Sequence, residues 1–455
     1  MTTPGATSVT APGRRGPLAA LGALTPTGRA VVPLAWSLYD LANTIYSYAI
    51  VSYAMGLWTI ERLGRADGQF WFGIAAAASV GLNALVSPVL GAVSDRGGRR
   101  LPFLGAFTAL TIGATALIAL TASPLIGLVL FAIANFGYQA ALIYYDATLP
   151  VVARPEARGR VSGIGVAIGY LGTLVIAGLI LVLDSGAQPI TFLLAAGLYA
   201  LFSIPIFAFV HEQRRPGYRL AAREVIGSWA QLATTLRHAR AVPGLLRFLV
   251  GRFFYTDPVN TVIVVMTVFA TQAIGLTAGQ ANLVLLLLTV VAVVASLGWG
   301  RLVEAIGPKQ TLLVVLGTWC VGLLIAGSVL TLPTFLVGGA LLGAGLGGVW
   351  TSDRVFMLRL SPPERVGEFF GLYGLAGKFS AVTGPVLYGV IVSTLLDRGF
   401  GSAAYQAGIL SFLALMLIGV ALLRGVPEPP ADPGQPAVAP PPERLAPATA
   451  SIEPR

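Results

Sequence analysis

Carboxylates and amides recur at matched places in two apolar stretches of this chain. Asp40, Asn43 and Ser47 are spaced by three and four residues in WSLYDLANTIYSYAIVSYAMGLW, so a helix puts them on one face beside Tyr39 and Tyr46. GRFFYTDPVNTVIVV repeats the Asp-x-x-Asn spacing at Asp257 and Asn260. A carboxylate with an amide one turn away offers an ionic contact and two-way hydrogen bonding to a polar ligand, and asks for no covalent step. In surroundings this apolar a carboxylate is costly unless it faces a bundle interior or water. For Asp40 three readings are open: contact with a polar solute, a structural hydrogen-bond network, and an interfacial position that needs neither. For Asp257 the alternative to solute contact is capping of a helix start. Arg252 stands five residues before it, and Pro258 is expected to distort the local helix and release a carbonyl.

Further charges sit at corresponding places in the two halves of the chain. Asp146 in FGYQAALIYYDATLP and Arg354 in VWTSDRVFMLRL, where Asp353 precedes it, lie 208 residues apart. The same interval superposes Pro155, Glu156, Gly159, Gly163 and Gly169 on Pro363, Glu364, Gly367, Gly371 and Gly377 without a gap, which points to a duplicated unit. Opposite charges at equivalent positions can meet across the axis relating two such units, or each can pair with a loop arginine of its own half. Either arrangement reads as a gate or clamp rather than a ligand contact. Lys378, in GLYGLAGKFSAVTGP, is the only lysine inside an apolar segment. Pairing with a carboxylate is the expectation there, with snorkelling or contact with an anionic ligand group as alternatives.

The elements that must position these residues follow from composition. A mean hydropathy of +0.80, with 56% hydrophobic and 11% charged residues in 455, leaves too little polar surface for a soluble fold. Crossing a bilayer takes about 20 apolar residues in a helix whose backbone satisfies itself. Twelve such segments are predicted near 33–60, 70–93, 101–121, 124–150, 161–183, 189–211, 246–271, 280–300, 311–330, 333–358, 368–395 and 405–424. Basic residues crowd the turns of one side: Arg96, Arg99 and Arg100; Arg154, Arg158 and Arg160; a run from Arg214 to Arg247; Arg301 and Lys309; Arg359 and Arg365. The other side offers Arg62, Arg65 and Arg398, so the positive-inside rule puts both termini and the central loop in the cytoplasm.

The net charge of +10 is spread over these juxtamembrane turns, which fits contact with an anionic lipid leaflet and not nucleic-acid binding. Cys320 is alone, and His211 and His238 are the only histidines, so no disulfide framework, metal centre or Ser-His-Asp set is expected. GIGVAIGYLG from 163 has the glycine spacing of a dinucleotide loop but lies inside a span with no strand before it, and no cofactor is expected. Residues 1–32 read as a cytoplasmic tail rather than a cleaved targeting peptide, and the Pro/Ala-rich residues 425–455 as a disordered cytoplasmic tail. Between them stand a first six-helix bundle (33–211), a cytoplasmic central loop (212–245) and a second bundle (246–424). Two homologous bundles around a central cavity permit alternating access, and small residues in spans two, five, ten and eleven allow the close helix approach that sliding interfaces need.

After span two, SPVLGAVSDRGGRRLPFLG carries the pattern G-x-x-x-D-R-x-G-R-R at Gly91, Asp95, Arg96, Gly98, Arg99 and Arg100. It resembles the signature loop of the major facilitator superfamily; the counterpart from 298, GWGRLVEAIGPKQ, has Glu304 for the aspartate and Lys309 for the basic pair. WSLYDLANTIYS, YYDATLP and SDRVFMLRLSPPERVGEFFGLYGLAGKFSAVTGP resemble the vacuole-effluxer-like branch of that superfamily, over residues 33–424. The resemblance implies an all-α polytopic membrane protein of the major facilitator fold, with 12 transmembrane helices in two pseudo-symmetric six-helix bundles. It implies secondary active translocation of a small polar solute, with a proton or sodium ion as candidate coupling ion. Fungal members are associated with vacuolar efflux of amino acids, so amino acids are the solute it suggests, here in a bacterial inner membrane. Candidates for solute contact or coupling are Tyr39, Asp40, Asn43, Ser47, Asp257, Asn260 and Lys378. Candidates for the cytoplasmic gate are the loop residues just named with Asp146, Arg158, Asp353, Arg354, Glu364 and Arg365. A monomer surrounded by lipid is expected; a non-transporting receptor or scaffold, and then a membrane-embedded enzyme, are the alternatives.

Overall fold

A computed structural model describes residues 17–97, 99–212 and 232–428 of the chain. Most of both tails, most of the central loop and Gly98 lie outside these residues, as does the side chain of Arg96. Within the expected tail and loop there are two described helices, Pro17–Gly22 and Leu232–Ala241.

The first membrane segment, α1, begins as Val31–Tyr46, widens into a π-helical stretch at Ser47–Ala54 and continues as Met55–Leu63. It is followed by α2 (Arg65–Gly97), α3 (Leu101–Ile118), α4 (Pro124–Ala147), α5 (Arg158–Val182) and α6 (Pro189–Phe209). The second half consists of α7 (Leu245–Gln272), α8 (Ala278–Ile306), α9 (Pro308–Ser328), α10 (Leu332–Leu360), α11 (Val366–Asp397) and α12 (Ser402–Arg424). Among the described residues eleven helices are long and apolar enough to cross a membrane. With the divided α1 they make the twelve segments of a major facilitator fold, in two six-helix bundles. Helix starts follow local chemistry: Thr277 with Gln280 and Thr331 with Thr334 form capping boxes, and prolines open α4, α6 and α9. Gly64 and Gly307, at φ +81° and +86°, turn the chain between adjacent helices in a conformation that side chains rarely adopt.

Two local expectations are corrected. The first span is not one uninterrupted α-helix, because a π stretch runs from Ser47 to Ala54. Pro258 does not break α7, which runs continuously from Leu245 to Gln272, so Asp257 lies inside the helix and caps no helix start.

The halves meet along two related seams, α2 against α11 and α5 against α8, with α5 also packed on α10. Glycines of the 208-residue repeat make these seams. Gly159 and Gly163 lie on Gly300 and Ser296 of α8, while Gly367 and Gly371 lie on Gly91 and Ser87 of α2. A Cβ added at Gly159 would stand 2.6 Å from the Gly300 carbonyl oxygen, and one at Gly367 would stand 2.7 Å from that of Gly91. These contacts sit at the Arg-rich end. Toward the opposite end of the same helices, Gly73 and Gly81 of α2, Gly178 of α5, Gly279 of α8 and Gly389 of α11 have nothing within 4 Å. The two halves are closed on each other at the Arg-rich end.

Gly367→Val is expected to wedge the α2–α11 seam, destabilising the closed Arg-rich end by about 1–3 kcal/mol. Spin labels at the Arg-rich ends of α2 and α11, in a Cys320→Ser background, should report longer distances than in the parent; an unchanged distribution would refute the wedge.

Candidate functional site

Neighbouring residues on a helix point about 100° apart, and at Asp353 and Arg354 that angle divides two charges between the two halves. Asp353 is fully buried in its own half, where it accepts hydrogen bonds from Arg252 Nε at 3.0 Å, Tyr255 OH at 2.7 Å and Tyr373 OH at 3.1 Å. The Arg252 guanidinium lies 3.6 Å over the Tyr373 ring, so α7, α10 and α11 are tied at one point. Arg252 thus serves Asp353 and not Asp257.

Arg354 turns the other way and enters the first half. Its Nη2 lies 3.2 Å from Asp40 Oδ2 of α1, and its Nη1 lies 3.2 Å from Asp146 Oδ1 of α4. Nε donates to Ser162 Oγ at 2.7 Å, and Ser162 in turn donates to the Thr351 carbonyl at 2.9 Å, binding α5 to α10. Of the two pairings open to Asp146 and Arg354, the geometry is the one across the two halves. Trp36, stacked on Tyr145 at 4.5 Å, covers the guanidinium at 5.0 Å. Asp40 and Asp146 keep 17% and 19% of their side-chain surface exposed, against 5% for Arg354, so water reaches the carboxylates and hardly the cation.

Lys378 also crosses between halves, but its expected carboxylate is absent among the described residues. Its Nζ meets Asn83 Oδ1, Ser87 Oγ at 3.2 Å and the Gln139 carbonyl at 3.4 Å. The correction has a geometric cause, because α11 presents Lys378 to faces of α2 and α4 that carry only neutral acceptors. The half-buried amine has only these neutral acceptors as partners among the described residues.

Asn43 leaves the face expected for Asp40, Asn43 and Ser47. Asn43 is buried in its own half and accepts the Tyr199 hydroxyl at 2.9 Å. Tyr39 points the same way, its hydroxyl 2.5 Å from that of Thr108 and 3.3 Å from that of Tyr199. Asp40 alone turns outward, beside Gly165 and Gly169 of α5, where only small residues leave room for it. Ser47 is half-buried at the start of the π stretch. In the other half Asp257 is buried, its Oδ1 accepting the Gly384 backbone N–H at 2.7 Å, while Asn260 is half-buried.

At the Arg-rich end one device appears twice. Asp95, at the end of α2, accepts the N–H groups of Gly367 at 2.8 Å and Glu368 at 2.7 Å, which open α11 in the other half, and pairs with Arg100 at 3.0 Å. Glu304, at the end of α8, accepts the N–H of Arg160 at 3.1 Å near the start of α5 and pairs with its Nε at 2.5 Å. Arg160 and Glu368 stand 208 residues apart, so the second-half loop, weaker as a motif, does the same work. First-turn N–H groups have no partner within their helix, and a carboxylate from the opposite half satisfies them. Arg99 is exposed; Glu364 and Arg365 lie in the 3-10 turn Pro363–Arg365, the former exposed and the latter half-buried; Arg158 opens α5.

Sequence reasoning missed three residues here. Glu368 is buried behind its own N–H contact and faces His238 Nδ1 of the Leu232–Ala241 helix at 3.3 Å. Ser162 links Arg354 to Thr351. Glu212 accepts the N–H groups of Arg100 and Leu101 at 2.7 and 2.8 Å, its carboxyl pushed up by burial against the pull of those donors. Only Glu212 left a signal, as the first carboxylate after α6. Among the described residues no group of three or more His, Cys, Asp and Glu gathers as a metal site.

A family model described as "Vacuole effluxer Atg22 like" matches residues 72–429. An uncharacterized MFS-type transporter of Bacillus subtilis (strain 168), YxiO, is 29% identical over 412 residues, covering 86% of this chain and 94% of that protein. Autophagy-related protein 22 of Yarrowia lipolytica is 26% identical over 279 residues, 52% of this chain and 46% of that protein. The crystal structure of the human organic anion transporter MFSD10 superposes with a TM-score of 0.67 at 19% identity, over 86% of this chain and 98% of that one, a likeness of fold. Two bundles closed on each other at one end, a charged cluster between them and a family match over most of the chain make this protein a member of the vacuole effluxer Atg22-like family of major facilitator membrane transporters.

Proposed function

We propose that the chain moves a small zwitterionic solute, amino acids foremost, across a bacterial inner membrane by alternating access. The observation that carries this reading is the placement of Arg354 of one half between Asp40 and Asp146 of the other, with Lys378 held by neutral acceptors of α2 and α4. An ammonium group can compete with the guanidinium for the two aspartates, while a carboxylate is drawn to Lys378. Binding of such a solute loosens the inter-half pairing that holds this state, which is the differential interaction a ligand needs to shift a two-state protein. The rocking units are residues 33–211 and 246–424, joined through 212–245. The positive-inside rule makes the Arg-rich end cytoplasmic, together with both termini, so the arrangement described is closed to the cytoplasm. A single chain contains both halves of the site, which supports a monomer working without cofactor or metal, in lipid, with a proton or sodium ion as coupling partner.

Wild-type protein in liposomes is expected to exchange labelled amino acids saturably above empty vesicles. Asp40→Asn should lower that flux about tenfold or more, since a charge-assisted contact is worth about 1.5–3 kcal/mol. Failure of every amino acid tested, with folding and orientation verified, would discard this solute class.

Arg354→Met should abolish flux and destabilise the protein by about 3–5 kcal/mol, because two carboxylates lose their shared cation. Adding Asp40→Asn and Asp146→Asn should restore much of the stability in detergent unfolding without restoring flux. Restored flux would mean that the cluster is only structural.

A further inference from the structure

Within the membrane segments, Asp40, Asp146 and Asp353 each lie against a guanidinium, while Asp257 has no cationic side chain within 4.0 Å among the described residues. It is also far less exposed than the first two, at 1%. Its Oδ1 accepts the Gly384 N–H at 2.7 Å, but Oδ2 is buried without a partner, and so is the nearby Thr261 hydroxyl oxygen. Both groups border the point where a Cβ on Gly384 would stand, which places them side by side between α7 and α11. An isolated carboxylate in such a site is strongly disfavoured as an anion.

The charged and titratable groups on the surrounding helices do not answer it. Arg252 of α7 is committed to Asp353, and Tyr255 donates to the same carboxylate. From α10, Arg354 is held by Asp40 and Asp146; from α11, Lys378 faces α2 and α4. Tyr388 of α11 and Tyr405 of α12 offer phenols and not cations, and α8 carries Arg301 and Glu304 only at its Arg-rich end.

We propose that Asp257 is a proton-binding site: its carboxylate takes one proton from hydronium on one side of the membrane and returns it to water on the other. Protonation removes the buried charge, while Oδ1 keeps the Gly384 N–H and the Thr261 hydroxyl stands beside the carboxyl in either state. The site can act on the gate through α11. That helix is bound at one end by Asp95, in its middle through Lys378 to α2, and beyond it by Asp257 at Gly384, next to Pro385, where the ring removes a ladder bond and permits a bend. The charge on Asp257 therefore sets how tightly α11 is held to α7. As the coupling step this rests on the transport reading; as a binding site it does not.

Infrared difference spectra of the purified full-length protein between acid and alkaline pH provide the test, with Asp257→Asn, Asp40→Asn and Asp146→Asn alongside. The expected result is a carboxylic acid C=O band that disappears at alkaline pH, is missing from Asp257→Asn and survives in the other two variants. A band that persists in Asp257→Asn, that is lost from Asp40→Asn or Asp146→Asn instead, or that never appears in the wild type overturns the assignment. Asn keeps an oxygen for the Gly384 N–H; if that variant does not fold, Asp257→Glu must move the band, and an unmoved band overturns the assignment equally. In liposomes Asp257→Asn should lose accumulation driven by an imposed pH gradient, and accumulation that survives refutes the coupling role. Absence of exchange in the wild type would remove the transport reading instead, and the infrared band would still decide Asp257.

Discussion

A guanidinium inside a bilayer cannot stand alone, and the centre of this molecule is organised around supplying Arg354 with partners. Its carbon stem belongs to the second half, whereas both carboxylates within reach belong to the first. The cost of taking the ion out of water is offset only while the halves stay together at that level. Small residues on α5 make room for Asp40, and the Trp36–Tyr145 stack excludes water from the cation. Such a cluster adds little to net stability compared with a well-packed apolar core, but it admits few registers between the halves. It is therefore better understood as a specifier of the register between the halves than as glue.

The closed end applies a second constraint, that of unpaired donors at helix starts. In both seams the first-turn N–H groups of a helix in one half are satisfied by a carboxylate ending a helix in the other, Asp95 for α11 and Glu304 for α5. Glycine faces below these caps let the backbones touch. The Leu232–Ala241 helix joins this arrangement where His238 meets Glu368, whose own N–H is held by Asp95. This helix before α7 thus touches the seam between α2 and α11.

Duplication explains why the arrangement is paired and why its chemistry is not. The backbone device at the Arg-rich end recurs at a spacing of 208 residues, because the first turn of α5 and of α11 needs the same acceptor. At the centre the copies have diverged into opposite charges, Asp146 and Arg354, which is what allows them to meet. Asp40 and Asp257 occupy comparable places in α1 and α7 but have different surroundings, one beside a guanidinium and partly exposed, the other sealed against a backbone N–H.

Composition and periodicity alone determined that lipid is the solvent, that helices cross it in two related sets of six, and that charges inside them must find partners. Those properties are local: hydropathy, helix length, loop charge and a repeat interval are all read along one stretch of chain. Which partner each charge finds was decided by tertiary structure. Helical spacing placed Asp40 and Asn43 on one face, yet the rotation of α1 against α6 gave Asn43 to Tyr199. Lys378 lacks a carboxylate, and Arg252 passes over Asp257 for Asp353, because rotations and registers of α2, α4, α10 and α11 set those distances. Such rotations come from side-chain packing between segments hundreds of residues apart, and no pattern within a single segment encodes them.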